Sequence, residues 1–164
     1  MNTEIETTKD DCKLVKRSRF EVILELIAKE MLHFPACDMP IVNRFLDGMY
    51  SREIFAPANS ITVSVKHKKD HFIVISQGSG LFYDEYGCKK VCAPCTMVTK
   101  AGTQRLIFIK DDMIATTFHR TDETNPDKIM DVIAEPFEFG NQTYKAISEE
   151  EMFKLIYKEH NELS

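Results

Sequence analysis

The sequence is short of several features, and each shortage removes a class of function. No apolar run approaches the length of a bilayer span, so no transmembrane helix is expected. Acidic residues outnumber basic ones, 26 Asp and Glu against 21 Lys and Arg, for a net charge of −5. A general nucleic-acid binder carries a basic excess or stripe, so that class is set aside. The opening MNTEIETTKDDC is polar and acidic, unlike a signal or transit peptide. The chain is therefore expected in a cytoplasm, not secreted, with its cysteines reduced. Those cysteines number five, an odd count that fits poorly with a full set of disulfides. The sequence has no βαβ alternation, internal repeat, low-complexity tract or G-x-S-x-G elbow. Large α/β barrels and serine-nucleophile hydrolases thus lose their support.

What remains is 164 residues, 43% hydrophobic and 29% charged, which suits one globular domain with its own core. Residues 1–17 read as a flexible arm. Ser18 and Glu21 form a capping box, and Phe20, Ile23, Leu24, Ile27 and Met31 follow at helical spacing. The spacing predicts a helix over 18–33, ended by Pro35 and Pro40, with 18–40 as helix and linker. From 41 to 121, short runs rich in Val, Ile, Thr and Phe alternate with turn residues. Strands are predicted at 42–46, 49–56, 60–67, 71–77, 80–86, 89–98, 104–110 and 113–120. The breaks are Gly48, PANS, KKD, GSG, YGC, KAG and KDD. Many short strands at even spacing indicate an antiparallel sandwich or barrel. A helical turn is predicted at 126–134, then an extension over 136–164. Its helix starts at Ser148 with a second capping box, SEEE. Met152, Phe153, Leu155, Ile156 and Tyr157 give that helix a broad apolar face for the barrel or a neighbouring subunit.

The stretch CKKVCAPC sets Cys88, Cys92 and Cys95 in a C-x3-C-x2-C array. Three thiolates at that spacing suit a 4Fe–4S cluster, but a cluster loop needs irregular backbone around the irons. Here Tyr86-Gly87 reads as a turn and Lys89 to Val98 as a returning strand. Cys88 and Cys92 are an even number apart and share one face of a flat strand. No second Cys or His pair stands close by to complete a zinc site. The expectation is a hairpin carrying small apolar residues, with Pro94 marking an edge or bulge.

Alternation along the strands nominates a site. His67 continues the face of Val63 and Val65, and His71 that of Ile73 and Ile75. Arg52 goes with Tyr50 and Ile54, Arg105 with Ile107 and Ile109, and His119 with Met113, Ala115 and Thr117. The two histidines read either as a metal pair completed by water or His119, or as polar residues closing the barrel end. The two arginines read either as forks for a carboxylate or phosphate, or as ion pairs with Glu53, Asp70 or Asp112.

The run ITVSVKHKKDHFIVISQG resembles the first motif of the cupins, G-x5-H-x-H followed by a glutamate and G, and KAGTQRLIFI sits where the second, P-x-G-x2-H, belongs. His67 matches the second histidine, Gly78 the closing glycine and Gly102 the glycine of the second motif. His71 falls at the metal-binding glutamate, Val65 at the first histidine, Asn59 at the opening glycine and Lys100 at the proline. Arg105 falls at the last histidine, and a guanidinium cannot donate a lone pair to a metal. The blocks RFLDGMYSREIFAPANS, KHKKDH, APCTMVTKAGTQR and KDDMIATTFHRTDETNPDKI, in that order over about 41–135, resemble a group of small cupin-like proteins of tailed bacteriophages. The resemblance implies a mainly β, cupin-type antiparallel jelly-roll barrel at 41–135, with an N-terminal amphipathic helix and C-terminal helices. It also implies a homo-oligomer. With the metal motif eroded, the expected function is a non-catalytic binding protein needing no cofactor. It would be a virion or assembly component of host cytoplasm or virion, paired with itself and with other phage structural proteins. Two alternatives stand beside it. One is a metal-dependent cupin enzyme using His67 and His71. The other is a binder of a small anionic ligand, such as a nucleotide signal, through Arg52, His67, His71, Arg105 and His119.

Overall fold

A computed structural model describes residues 18–139, 143–145 and 148–162. The arm expected over 1–17 lies outside the described residues. In chain order the elements are α1 (Arg19–Met31), β1 (Ile41–Leu46), β2 (Met49–Ala56), β3 (Ser60–Val63), β4 (His71–Asp84), β5 (Gly87–Cys92) and β6 (Cys95–Thr99). They continue with β7 (Leu106–Arg120), α2 (Ile129–Ile133), β8 (Thr143–Lys145) and α3 (Glu149–Glu162).

Two long strands carry the architecture. β4 pairs antiparallel with β7 from Phe72 opposite Phe118 to Tyr83 opposite Leu106. The free edge of β7 takes β3 along its first half and β2 along its second. The free edge of β4 takes β6 and then β5. β1 extends β2, and β8 extends β3. One antiparallel sheet thus curls on itself into a barrel.

The sequence predicts four strands where these two run. The supposed breaks GSG and KDD lie inside β4 and β7, because they mark bulges rather than turns. The pairing register shifts three times between Ile75 and Gly80. Gly78 sits at φ +86°, and a Cβ on it or on Gly80 would collide with the carbonyls of Asp112 and Phe108. The bend that closes the barrel is therefore built where two backbones touch, which only glycine permits. The predicted strand 89–98 is likewise two, β5 and β6, parted at Ala93-Pro94. The predicted strand 60–67 stops pairing at Val63. That stop resets the alternation: Val63 packs toward α1, while Val65 and His67 line the barrel interior.

The capping boxes are both present: Glu21 N donates to Ser18 Oγ at 3.1 Å and Glu151 N to Ser148 Oγ at 3.2 Å. α1 buries Ile23, Leu24, Ile27 and Met31, as its spacing predicts. These meet Met152 and Ile156 of α3 over Ile61, Val63, Leu106 and Phe108. The terminal helices thus form one layer on the outer face of β3 and the start of β7. Inside the barrel, Ile75, Phe82, Ile109 and Met113 fill one end. α2 closes the other with Ile129 and Ile133 against Tyr50 and Val65. No helix among the described residues is long and apolar enough to cross a membrane.

Cys88 and Cys92 lie exposed on β5, and Cys95 packs inward from β6 against the second core cluster. The CKKVCAPC stretch is two strands and the bend between them, not a loop wrapped around a cluster.

Candidate metal centre

Three histidines converge at the end of the barrel closed by α2. His71 is the first residue of β4, and His119 is the penultimate residue of β7. His67 reaches them from the unpaired segment after β3, where its backbone bridges Ala134 beyond α2. The ring centroids stand 4.2 Å apart for His67 and His71, 4.5 Å for His71 and His119, and 4.8 Å for His67 and His119. One ligand nitrogen from each lies within 4.8 Å of the other two. Tyr50 stacks on His119 from below at 5.8 Å and donates from its hydroxyl to Asn43 Oδ1 at 2.6 Å, which fixes that wall.

The electrostatics keep these rings neutral. Burial pushes His67 down to about 3, helped by His71, His119, Arg52 and Arg105. Burial likewise pushes His119 down to about 3, helped by His71 and Arg52. His71 is lowered by burial too. A neutral imidazole has one nitrogen with a free lone pair, the form in which histidine ligates metals. His71 Nδ1 faces the Lys69 carbonyl at 3.3 Å. A carbonyl only accepts, so Nδ1 holds the proton and Nε2 the lone pair. Neither ring nitrogen of His67 has a hydrogen-bond partner among the described residues.

This donor set fits a divalent transition metal. Three imidazoles suit Zn, Fe, Ni or Cu, and three protein ligands leave coordination positions for small molecules. Donors on a tetrahedral ion stand about 3.4 Å apart, and His119 Nε2 meets Thr117 Oγ1 at 3.0 Å. The sequence offers His67 and His71 as a metal pair completed by water or His119; the structure places His119, which lies outside both stretches that resemble the cupin motifs, beside the other two. Of the two lost motif ligands, Val65 is wall. Arg105 is an ion-paired residue: its Nε meets Asp84 Oδ2 at 3.5 Å, and Nη1 donates to Thr99 Oγ1 at 3.0 Å.

None of the three carboxylates expected to pair with the arginines does so. Glu53 pairs with Arg44 at 3.0 Å, Asp70 with Lys100 at 2.7 Å, and Asp112 accepts from Ala58 N at 2.8 Å. Asp84, which the sequence reading missed, holds Arg105. Arg52 is 8% exposed, and its one side-chain hydrogen bond among the described residues runs from Nη1 to the Met130 thioether at 3.4 Å. Arg52, Arg105, His67 and His71 all line one cavity of about 100 Å³. Its remaining wall is largely apolar, including Ile54, Ile73, Phe82 and Ile107. An engineered cavity of about 150 Å³ holds benzene, so this one takes only a few heavy atoms and does not enclose a nucleotide. On the far side, His71 and His119 also border a wider surface depression of about 460 Å³.

No protein-family model and no curated protein sequence matches the chain. Solved structures do resemble it. Ectoine synthase from P. lautus superimposes with a TM-score of 0.50 at 12% identity, over 74% of this chain and 91% of that one. The DMSP lyase DddQ from Ruegeria pomeroyi DSS-3 gives 0.46 at 15% identity, over 53% of this chain and 49% of that one. A cupin-2 domain protein from Shewanella frigidimarina gives 0.43 at 9% identity, over 57% and 89%. At such identities the likeness speaks for the fold alone. The fold is a cupin-type antiparallel β barrel with helices at both ends.

Proposed function

We propose that the chain is a metal-dependent cupin that acts on a small molecule, with His67, His71 and His119 holding a divalent ion. The observation that carries this reading is the convergence of three neutral, mostly buried imidazoles from three separate segments. Closing a barrel end by packing alone would favour apolar side chains or hydrogen-bonded polar ones. Unprotonated rings stacked on one another, with the His67 ring free of hydrogen bonds among the described residues, suit ligation better. This favours the metal reading over a non-catalytic binding component. A bound divalent ion would supply Lewis-acid polarisation of an oxygen on the small molecule. The chain's own residues do the rest. Tyr50 and the Lys69 carbonyl orient the rings, and the apolar walls exclude water.

Native mass spectrometry of protein incubated with Zn²⁺, Fe²⁺, Ni²⁺ or Mn²⁺ tests this. One ion per chain is expected. His67→Ala, His71→Ala and His119→Ala should each weaken uptake by at least about 100-fold, more than loss of an outer-shell partner causes. Uptake unchanged in all three variants, or none by the parent protein, would sink the reading. The same spectra read self-association, which the sequence leads us to propose.

A further inference from the structure

We infer that Arg52 binds the carboxylate of a small, otherwise apolar monoanion inside the barrel. This takes the barrel interior as the binding site, as the metal proposal does, but stands on a different observation. A guanidinium is always charged, and burying one without a counter-charge is costly. Arg52 is 8% exposed, and no carboxylate pairs with it among the described residues. Its one side-chain hydrogen bond among the described residues goes to the Met130 sulfur, a weak acceptor that neutralises nothing. Most of its five donors are left for something else in the cavity it lines.

The neighbouring arginine sharpens the class of ligand. Arg105 is already neutralised by Asp84, so the two arginines together offer one uncompensated positive charge. A guanidinium fork takes carboxylate and phosphate alike, but one uncompensated charge in a small pocket balances a monoanion such as a carboxylate and not a doubly charged oxyanion. The cavity of about 100 Å³ limits the ligand to roughly four to six non-hydrogen atoms, by scale with the benzene-sized cavity. Ile54, Ile73, Phe82 and Ile107 make much of the remaining wall, and of the four hydroxyl residues that share it, Ser64, Thr99 and Thr117 are already engaged by Arg105 and His119. His67 and His71 line the same cavity, so the anion would sit beside the histidine cluster. The site is thus set for a short-chain monocarboxylate, with Arg52 as the residue that decides specificity.

Calorimetric titration of the chelator-treated protein with propionate, phosphate and sulfate tests this without any metal. Saturable propionate binding at one per chain is expected, with the two tetrahedral anions at least tenfold weaker. Arg52→Met keeps an unbranched apolar stem, shorter by the guanidinium, and removes the charge. It should lose at least about 30-fold in propionate affinity, as when one partner of a buried charge pair is removed. Its melting temperature without ligand should stay the same or rise, because an unpaired buried charge has gone. Arg52→Lys, which keeps charge but not the fork, should fall between. No propionate binding, phosphate or sulfate preferred, or unchanged affinity in Arg52→Met would each overturn the inference. Ion uptake, measured separately, keeps the two readings apart. Propionate binding by a chain that takes up no metal would support this inference and sink the metal proposal alone.

Discussion

Taking the metal-free protein from pH 7 to pH 5 should cost its fold about 4 kcal/mol, about 2 kcal/mol for each of two histidines. The two are His67 and His119, both held down to about 3 in the folded state. An exposed imidazole in the unfolded chain titrates near 6.5. Between about 6.5 and 3 the unfolded state therefore binds more protons than the folded one, and stability falls as pH falls. Above about 6.5 both states are neutral at these rings and the effect vanishes. Every neighbour that acts on these two rings pushes the same way: burial, His71 and Arg52 on both, and His119 and Arg105 on His67. A typical domain has only about 5–15 kcal/mol to lose, so such a drop is easily seen. Urea denaturation of chelator-treated protein across pH 5 to 8 measures it. The double substitution His67→Gln, His119→Gln should flatten the profile. A parent profile already flat over that range would contradict the burial described for these rings.

Replacing Arg105 by Met should destabilise the protein by about 3 kcal/mol, the lower end for breaking a buried ion pair. The side chains of Arg105 and Asp84 are only 16% and 9% exposed, so removing the guanidinium strands a carboxylate in the barrel wall. Asp84 keeps one donor, the Tyr86 amide at 3.0 Å, which holds the cost at the lower end. Adding Asp84→Leu should recover most of the loss, since taking out both partners leaves no orphaned charge. Urea titrations of the two single variants and the double give the coupling directly. Additive losses, or a neutral Arg105→Met, would show that the pair is not what holds this wall. Arg52 should behave in the opposite way, its removal costing binding rather than stability. The two arginines look alike in the sequence and differ only in whether a carboxylate faces them.

That difference shows where sequence reading stops. Local signals survived well: both capping boxes, the α1 face of Ile23, Leu24, Ile27 and Met31, and the two-residue alternation that turns His71, Arg105 and His119 inward. What failed was long-range. The glycines of GSG look like a turn, yet Gly78 and Gly80 are bulge and crossing points within one strand. Reading β4 and β7 as four strands hid their pairing, and with it the approach of Asp84 to Arg105, 21 residues away. The third histidine is legible in the sequence only as an alternative to water, because its place is set by β7 running unbroken from Leu106 to Arg120. The resemblance to the cupin motifs puts Val65 and Arg105 where metal ligands are expected, and the fold sets His119, from the far end of β7, beside His67 and His71.

X-ray absorption at the zinc edge of the zinc-loaded protein reads the ligand set itself. Three imidazole nitrogens at about 2.0–2.1 Å are expected, with one fewer in His119→Ala. A first shell of water oxygens or thiolate sulfurs, or an imidazole count unmoved by His119→Ala, would contradict the three-histidine site.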